Sequence, residues 1–389
     1  MTSIKIPLMR STFFDEAETR KRLAEFVQTS PRLSMGEQCA AFEKTFSVYQ
    51  NRKHAILVSS GSAANLGLIQ ALLNLGRLKK GDRVGVSAVT WATNVMPIMQ
   101  LGLIPVAIDC ALEHLNMTAM ELEKKIDTLQ AVFLTNVLGF CGDIESIATL
   151  CKKKNVILLE DNCESLGTKY QGNMLGNFGL ASTFSFFVGH HLSTIEGGMM
   201  CTDDPELASM LLMVRAHGWD RNLTHQEQQA LRQKHGLDDF HARYTFYESA
   251  YNLRTTEIAG FLGQLQLPML EATIVKRSEN FRQFHAAAMK HPDRYYPLHS
   301  NHIERVSNFA MPLVTQTSEI LKEAVKKFED AGVEVRPIIA GDITMHPFWR
   351  KELPAVDCPN SRIIHSQGLY FANNPDLTES EVALMCDLI

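Results

Sequence analysis

The sequence lacks paired cysteines. Its eight cysteines, Cys39, Cys110, Cys141, Cys151, Cys163, Cys201, Cys358 and Cys386, include no CxC or CxxC spacing. Zinc and iron–sulfur sites usually draw on such pairs, so no metal site is expected and the thiols read as reduced and mostly buried. No apolar run reads as a membrane span. The opening MTSIKIPLMRSTFFDEAETR is mixed in polarity and has no signal-peptide core. A cytoplasmic location, away from membranes, is the expectation. Neither sign of charge dominates: Lys+Arg 38 stand against Asp+Glu 43, a formal net charge of -5. That excludes the strongly basic balance of a nucleic-acid or anionic-membrane binder. There is no internal repeat and no low-complexity tract, which excludes solenoids and disordered arrays.

What is present suffices for a large core, since 45% of the 389 residues are hydrophobic. From about Arg52 to Ala216, short apolar runs alternate with amphipathic stretches. HAILVSS (54–60) reads as a strand and SAANLGLIQALLNL as the helix after it. RVGVSAVT (83–90) reads as a strand and ATNVMPIMQLG as a helix. IPVAIDC, AVFLTNVLG and VILLEDNC are three more apolar strands. Continuous apolar strands of this kind belong to a mostly parallel sheet covered on both faces, an α/β fold. ASTFSFF and GGMMCTD read as closely spaced strands. The polar stretch 220–251 reads as an inserted excursion with some helix. TEIAGFLGQLQLPMLEATIVKRSENFRQFHAAAMKH reads as one long helix bent at Pro268. NFAMPLV, EILKEAVKKFEDAG, VEVRPII and a C-terminal helix suggest a smaller α+β lobe. The expected division is a large α/β domain over 1–257 and a C-terminal unit over 258–389.

Ligands of open α/β sheets collect at the carboxyl ends of the strands. Three polar clusters fall at such ends. In SSGSAAN (59–65), Gly61 and Ser62 place N–H groups and a hydroxyl at a helix N-terminus, where an anion can sit. Trp91 follows a strand and either stacks on a flat ring or fills the core. Asp161, at the end of VILLEDN, either pairs with a cationic ring nitrogen or serves as a structural cap. The fourth segment, FSFFVGHHLSTIEGGMM (184–200), contains adjacent His190 and His191 and no lysine.

The order of these clusters, from LSMGEQCAAFEKTF (33–46) to VEVRPII (333–339), resembles the sugar-nucleotide aminotransferase family of pyridoxal 5′-phosphate (PLP) enzymes. The resemblance implies an aspartate-aminotransferase-like fold (PLP fold type I). Family members read FSF, three residues, Lys-Asn, then GEGG or similar, and the lysine holds the cofactor aldehyde. Here His190 stands at the lysine position. LLEDNCESLG, GHHLSTIEGG, RAHGWDRNL and YNLRTTE resemble a lysine-to-histidine branch, the nucleotide-sugar 3-dehydratases. One relative in that branch carries an iron–sulfur cysteine cluster, which this sequence lacks.

Imidazole cannot form the lysine's imine but can still move a proton. The resemblance therefore implies a cofactor cycling between PLP and pyridoxamine 5′-phosphate (PMP). The implied reaction is C3 deoxygenation of a nucleotide 4-keto-6-deoxyhexose, with GDP-4-keto-6-deoxymannose favoured by overall likeness. L-glutamate would be the amino donor, and ammonia would be released. It further implies roles residue by residue. His190 would be the acid–base group, and Asp161 would meet the pyridinium nitrogen. Trp91 would stack on the ring, Gly61, Ser62 and Ser185 would hold the phosphate, and Glu164 would lie near the ring hydroxyl. Asn252 would reach the phosphate of the partner's cofactor in a homodimer with shared sites. His217 is a candidate second acid–base or substrate group. Arg254 and Arg336 are candidates for a carboxylate or diphosphate. Neighbouring side chains on an extended segment diverge, so His191 reads as structural. Two alternatives stand: an aminotransferase whose lysine comes from elsewhere, Lys169 being nearest, and an inactive binder of cofactor or sugar.

Overall fold

The computed structural model describes residues 5–389. Two helices, α1 (Glu16–Thr29) and α2 (Glu37–Gln50), precede the first strand. The large sheet is built from β1 (His54–Val58), β2 (Arg83–Ser87), β3 (Ile104–Ile108), β4 (Ala131–Thr135) and β5 (Ile157–Asp161). A short hairpin, β6 (Lys169–Tyr170) and β7 (Asn173–Met174), interrupts before β8 (Ala181–Ser185) and β9 (Gly198–Thr202) complete it. The order across this sheet is β1-β9-β8-β5-β4-β2-β3. The β3–β2–β4–β5–β8 pairings are parallel, and β9 runs antiparallel to both β8 and β1. All five residues of β4, β8 and β9 are buried. That burial on both faces is why β4 and β9 are apolar up to a final threonine and do not alternate, while β8 carries buried Ser182, Thr183 and Ser185.

Helix α3 (Gly61–Asn74) starts directly after β1, and the Ser60 side chain caps it by accepting from Ala63 N at 3.0 Å. The expected helix over ATNVMPIMQLG is broken into a 3-10 turn (Ala92–Asn94) and a short helix (Met96–Gln100) that starts with Pro97 in its first turn. The excursion carries a helix, His225–His235, with a Thr224–Glu227 capping box and Gly236 as its left-handed stop. No residue of that helix is buried, and Arg232 ties it down to buried Asp220 at 2.8 Å.

The long helix runs Glu257–Ala288, with a 3-10 turn at Leu267–Met269 where Pro268 removes a donor. Contrary to expectation, this helix is long and apolar enough by composition to cross a membrane. Its apolar side chains Leu262, Leu270, Ile274, Phe281 and Phe284 are buried in the fold, as in a core helix. Beyond it, β10 (Ala310–Val314), β11 (Val335–Pro337) and β12 (Gly368–Ala372) form an antiparallel sheet in the order β10-β12-β11. One apolar cluster runs from Val132 and Leu158 under the large sheet to Leu313 and Phe371 of the small one. The eight cysteines are free, six of them buried.

Candidate active site

Five strand ends deliver side chains to one cavity of about 490 Å³. Gly61 and Ser62 arrive after β1, Trp91 and Thr93 after β2, Thr135 from β4, Asp161 from β5 and Ser185 from β8. Glu164, Glu196, His190, Phe309 and Tyr370 complete much of the wall. Seven of the expected residues therefore meet: Gly61, Ser62, Trp91, Asp161, Glu164, Ser185 and His190.

The turn before α3 is packed so tightly that only glycine fits. A Cβ on Gly61 would lie 2.8 Å from Cys163 Sγ and from Ser185 Cβ. One on Gly198 would lie 2.2 Å from Ser60 O and 2.6 Å from Gly61 N. The result is a bare N–H cradle at a helix start, with the Ser62 and Ser185 side chains beside it, suited to a phosphate. Asp161 is 3% exposed. Its Oδ2 accepts from Asn65 Nδ2 at 2.9 Å and Asn94 Nδ2 at 2.7 Å, and its Oδ1 accepts from Cys163 N at 2.9 Å. Three neutral donors fix the carboxylate without neutralising it, so it remains available to a ring cation. Trp91 is 51% exposed, although it borders the cavity. That decides against a core tryptophan and leaves a flat face free for stacking.

Glu164 is buried and accepts from Leu138 N at 2.9 Å. Burial pushes its pKa up to about 8, with Asp161 adding a smaller push. A protonated carboxyl there can donate a hydrogen bond, as an amide would. Leu138 holds φ 49 and ψ 37, a left-handed conformation rare for leucine, while making this contact.

His190 is half-buried in a turn, its ring stacked on Phe309 at 5.1 Å. Burial lowers its pKa to about 4, and Arg277 adds to the effect. It is a neutral base at neutral pH. The segment is a turn, not the extended chain expected, yet the two histidines still diverge. His191 is fully buried, approaches the Ser307 carbonyl through Nε2 at 3.0 Å and does not reach the large cavity. No lysine lines the cavity among the described residues, and Lys169 lies in β6, bridged to Arg305.

Four expected residues lie outside this chain's own cavity. Asn252 and Arg254 are exposed and joined by Arg254 Nε donating to Asn252 Oδ1 at 2.9 Å. Between them, Leu253 O accepts from Ser59 N at 2.9 Å, which docks the segment beside the strand end that carries Gly61. His217 has φ 62 and packs on Trp219 at 4.8 Å. Arg336 pairs with Glu334 and sits opposite Tyr370 in the β11–β12 register. Sequence reasoning assigned no role to Asn65, Asn94 or Phe309. Asn65 closes the strand-end cluster SSGSAAN. Phe309 had no local signal, since it meets His190 only through tertiary packing.

A mostly parallel sheet that gathers a glycine-lined anion turn, a fixed strand-end carboxylate and a free indole defines a PLP-binding protein of fold type I. The chain belongs to the DegT/DnrJ/EryC1/StrS aminotransferase family, whose sequence profile matches residues 15–389. It is 35% identical over 385 residues to a GDP-4-keto-6-deoxy-D-mannose 3-dehydratase from Yersinia pseudotuberculosis, covering 97% of this chain and 96% of that protein. Its structure matches that of the Escherichia coli GDP-4-keto-6-deoxy-D-mannose-3-dehydratase with bound hydrated PLP, with TM-score 0.90, 31% identity and 99% of each chain covered. A GDP-4-keto-6-deoxymannose-3-dehydratase with a trapped PLP-glutamate geminal diamine matches with TM-score 0.89 and 31% identity, over 99% of this chain and 100% of that one.

Proposed function

We propose that this chain is a PMP/PLP-dependent 3-dehydratase of a nucleotide 4-keto-6-deoxyhexose, GDP-4-keto-6-deoxymannose. L-glutamate regenerates the amine form and ammonia is released. It would act in the cytoplasm as a homodimer with shared sites, in deoxysugar biosynthesis. One observation carries the reading: the cavity keeps the groups that suit the cofactor but offers a histidine and no lysine. When bound, the cofactor supplies an amine for the 4-keto carbon and an electron sink that loosens the neighbouring C3 hydroxyl.

The chain's residues divide the remaining work. Gly61, Ser62 and Ser185 bind the phosphate. Asp161 pairs with the ring nitrogen, Trp91 covers a ring face and Glu164 donates to the ring oxygen. His190, neutral through burial, takes and returns a proton at C4′ and forms no covalent bond there. A missing covalent tether favours expulsion of the hydroxyl over retention of an amino group. The intact Asp161, Trp91 and glycine cradle argue against an inactive binder.

The test is mass spectrometry of the sugar after incubation with PLP, L-glutamate and GDP-4-keto-6-deoxymannose. The expected product lacks one oxygen and appears with free ammonia. His190→Asn should lower the rate by at least about 100-fold. An amino sugar from the unmodified protein would overturn the reading.

A further inference from the structure

Adjoining the large cavity at His190 lies a second cavity of about 30 Å³. It shares Leu8, Met9, Gly189, His190 and Phe309 with the first, and His191, Ser193, Gln266 and Arg277 line its remaining wall. Arg277, on the long helix, is 6% exposed. Among the described residues its Nε and Nη1 have no hydrogen-bond partner, and Nη2 donates only to His190 O at 3.4 Å. The acidic side chain that acts on it, Asp376, is exposed and accepts instead from Ser11 Oγ at 3.2 Å. Burial lowers the Arg277 pKa to about 10, so it remains a cation at neutral pH.

A buried cation with no carboxylate in contact is costly. Gln266 offers nothing further to the space, being engaged by Phe14 and Thr19. The unmet groups of Arg277 are donors, and the volume admits one small ion or roughly two waters. Water would satisfy the donors but leave the charge unbalanced. We propose that this cavity is a binding site for one small monovalent inorganic anion, of chloride size, held by Arg277 Nε and Nη1. The anion neutralises the guanidinium that grips the backbone of His190 and so steadies the turn that presents the imidazole. This inference does not depend on which sugar the enzyme takes.

The holoenzyme should be crystallised from sodium bromide and its anomalous scattering measured at the bromine edge. A bromine peak within hydrogen-bonding reach of Arg277 is expected, and it should vanish in Arg277→Met. In solution, replacing gluconate by chloride at constant ionic strength should raise the Tm of the unmodified holoenzyme by about 2 °C near a tenfold excess over Kd. This second arm needs no variant to fold. Water density with no bromine peak, or a partner carboxylate filling the space, would overturn the proposal. So would a peak without a Tm difference, which would mean binding at crystal concentration only.

Discussion

Glu164 carries its proton at neutral pH, because its folded pKa is about 8 against an ordinary value of 4.5. A raised folded pKa gives stability that is complete below 4.5 and is lost as pH rises through 8. Glu164→Gln keeps the acceptor for Leu138 N and cannot ionise. The unfolding free energy of the apo protein should therefore fall, relative to Glu164→Gln, by about 1.4 kcal/mol per pH unit between pH 5 and 8. Urea unfolding at three pH values in that window checks this, and a flat difference would mean an ionised carboxylate. The lowered pKa values of His190 and His191 give the opposite slope below 6.5 and cancel in the comparison. At the turn before α3, Gly198→Ala forces a Cβ against Ser60 O and Gly61 N, both backbone atoms. PLP affinity, followed by absorbance titration, should fall by at least about tenfold as the cradle shifts. Residues at strand ends were legible because sheet geometry alone puts them on one edge. Asn94 and Phe309 were not legible, because their contacts to Asp161 and His190 depend on tertiary packing.

The helix entry at α2 shows how far one element depends on another. Its first N–H groups have no cap from their own helix; Gly36, Gln38 and Cys39 N–H donate to Glu257, at the start of the long helix, at 2.7, 2.9 and 3.1 Å. One carboxylate at a helix N-terminus thus also serves the N-terminus of a second helix. Close approach makes this possible, since a Cβ on Gly260 would lie 2.4 Å from Cys39 N. Glu257→Ala leaves three donors unmet and should cost about 2–3 kcal/mol in urea unfolding. Cofactor affinity should change far less. Elements with a clear period or a long apolar run, such as β5 and the long helix, could be read from sequence. The central strand β12 was missed, because GLYFA is brief and follows a helix without a turn signal. Pro337 stops β11 after three residues, since proline has no N–H to continue a ladder.

At the scale of the whole molecule, the chain's own cavity lacks a contribution from Asn252 and Arg254. They stand exposed beside the turn before α3, with Trp91, Phe187 and Ile195 also exposed at 51%, 42% and 45%. Phe187 and Trp91 border the cavity, so part of this apolar surface lies at its edge. Such a patch suits burial against a second copy, and in the homodimer proposed above each chain's Asn252 would reach the other's site. The arrangement makes a prediction that a self-contained site does not. In the proposed dimer, His190→Asn would disable the site a chain carries, whereas Asn252→Ala would disable the site its partner carries. In a dimer of one chain of each kind, one site bears both changes and the other bears neither. Coexpression of the two inactive variants should therefore restore about a quarter of the unmodified activity, since half the dimers are mixed and each has one intact site. If Asn252 served its own chain's cofactor, every site in every dimer would carry one lesion and nothing would be restored. Activity of the coexpressed pair, beside native mass spectrometry of the same sample, separates the two arrangements.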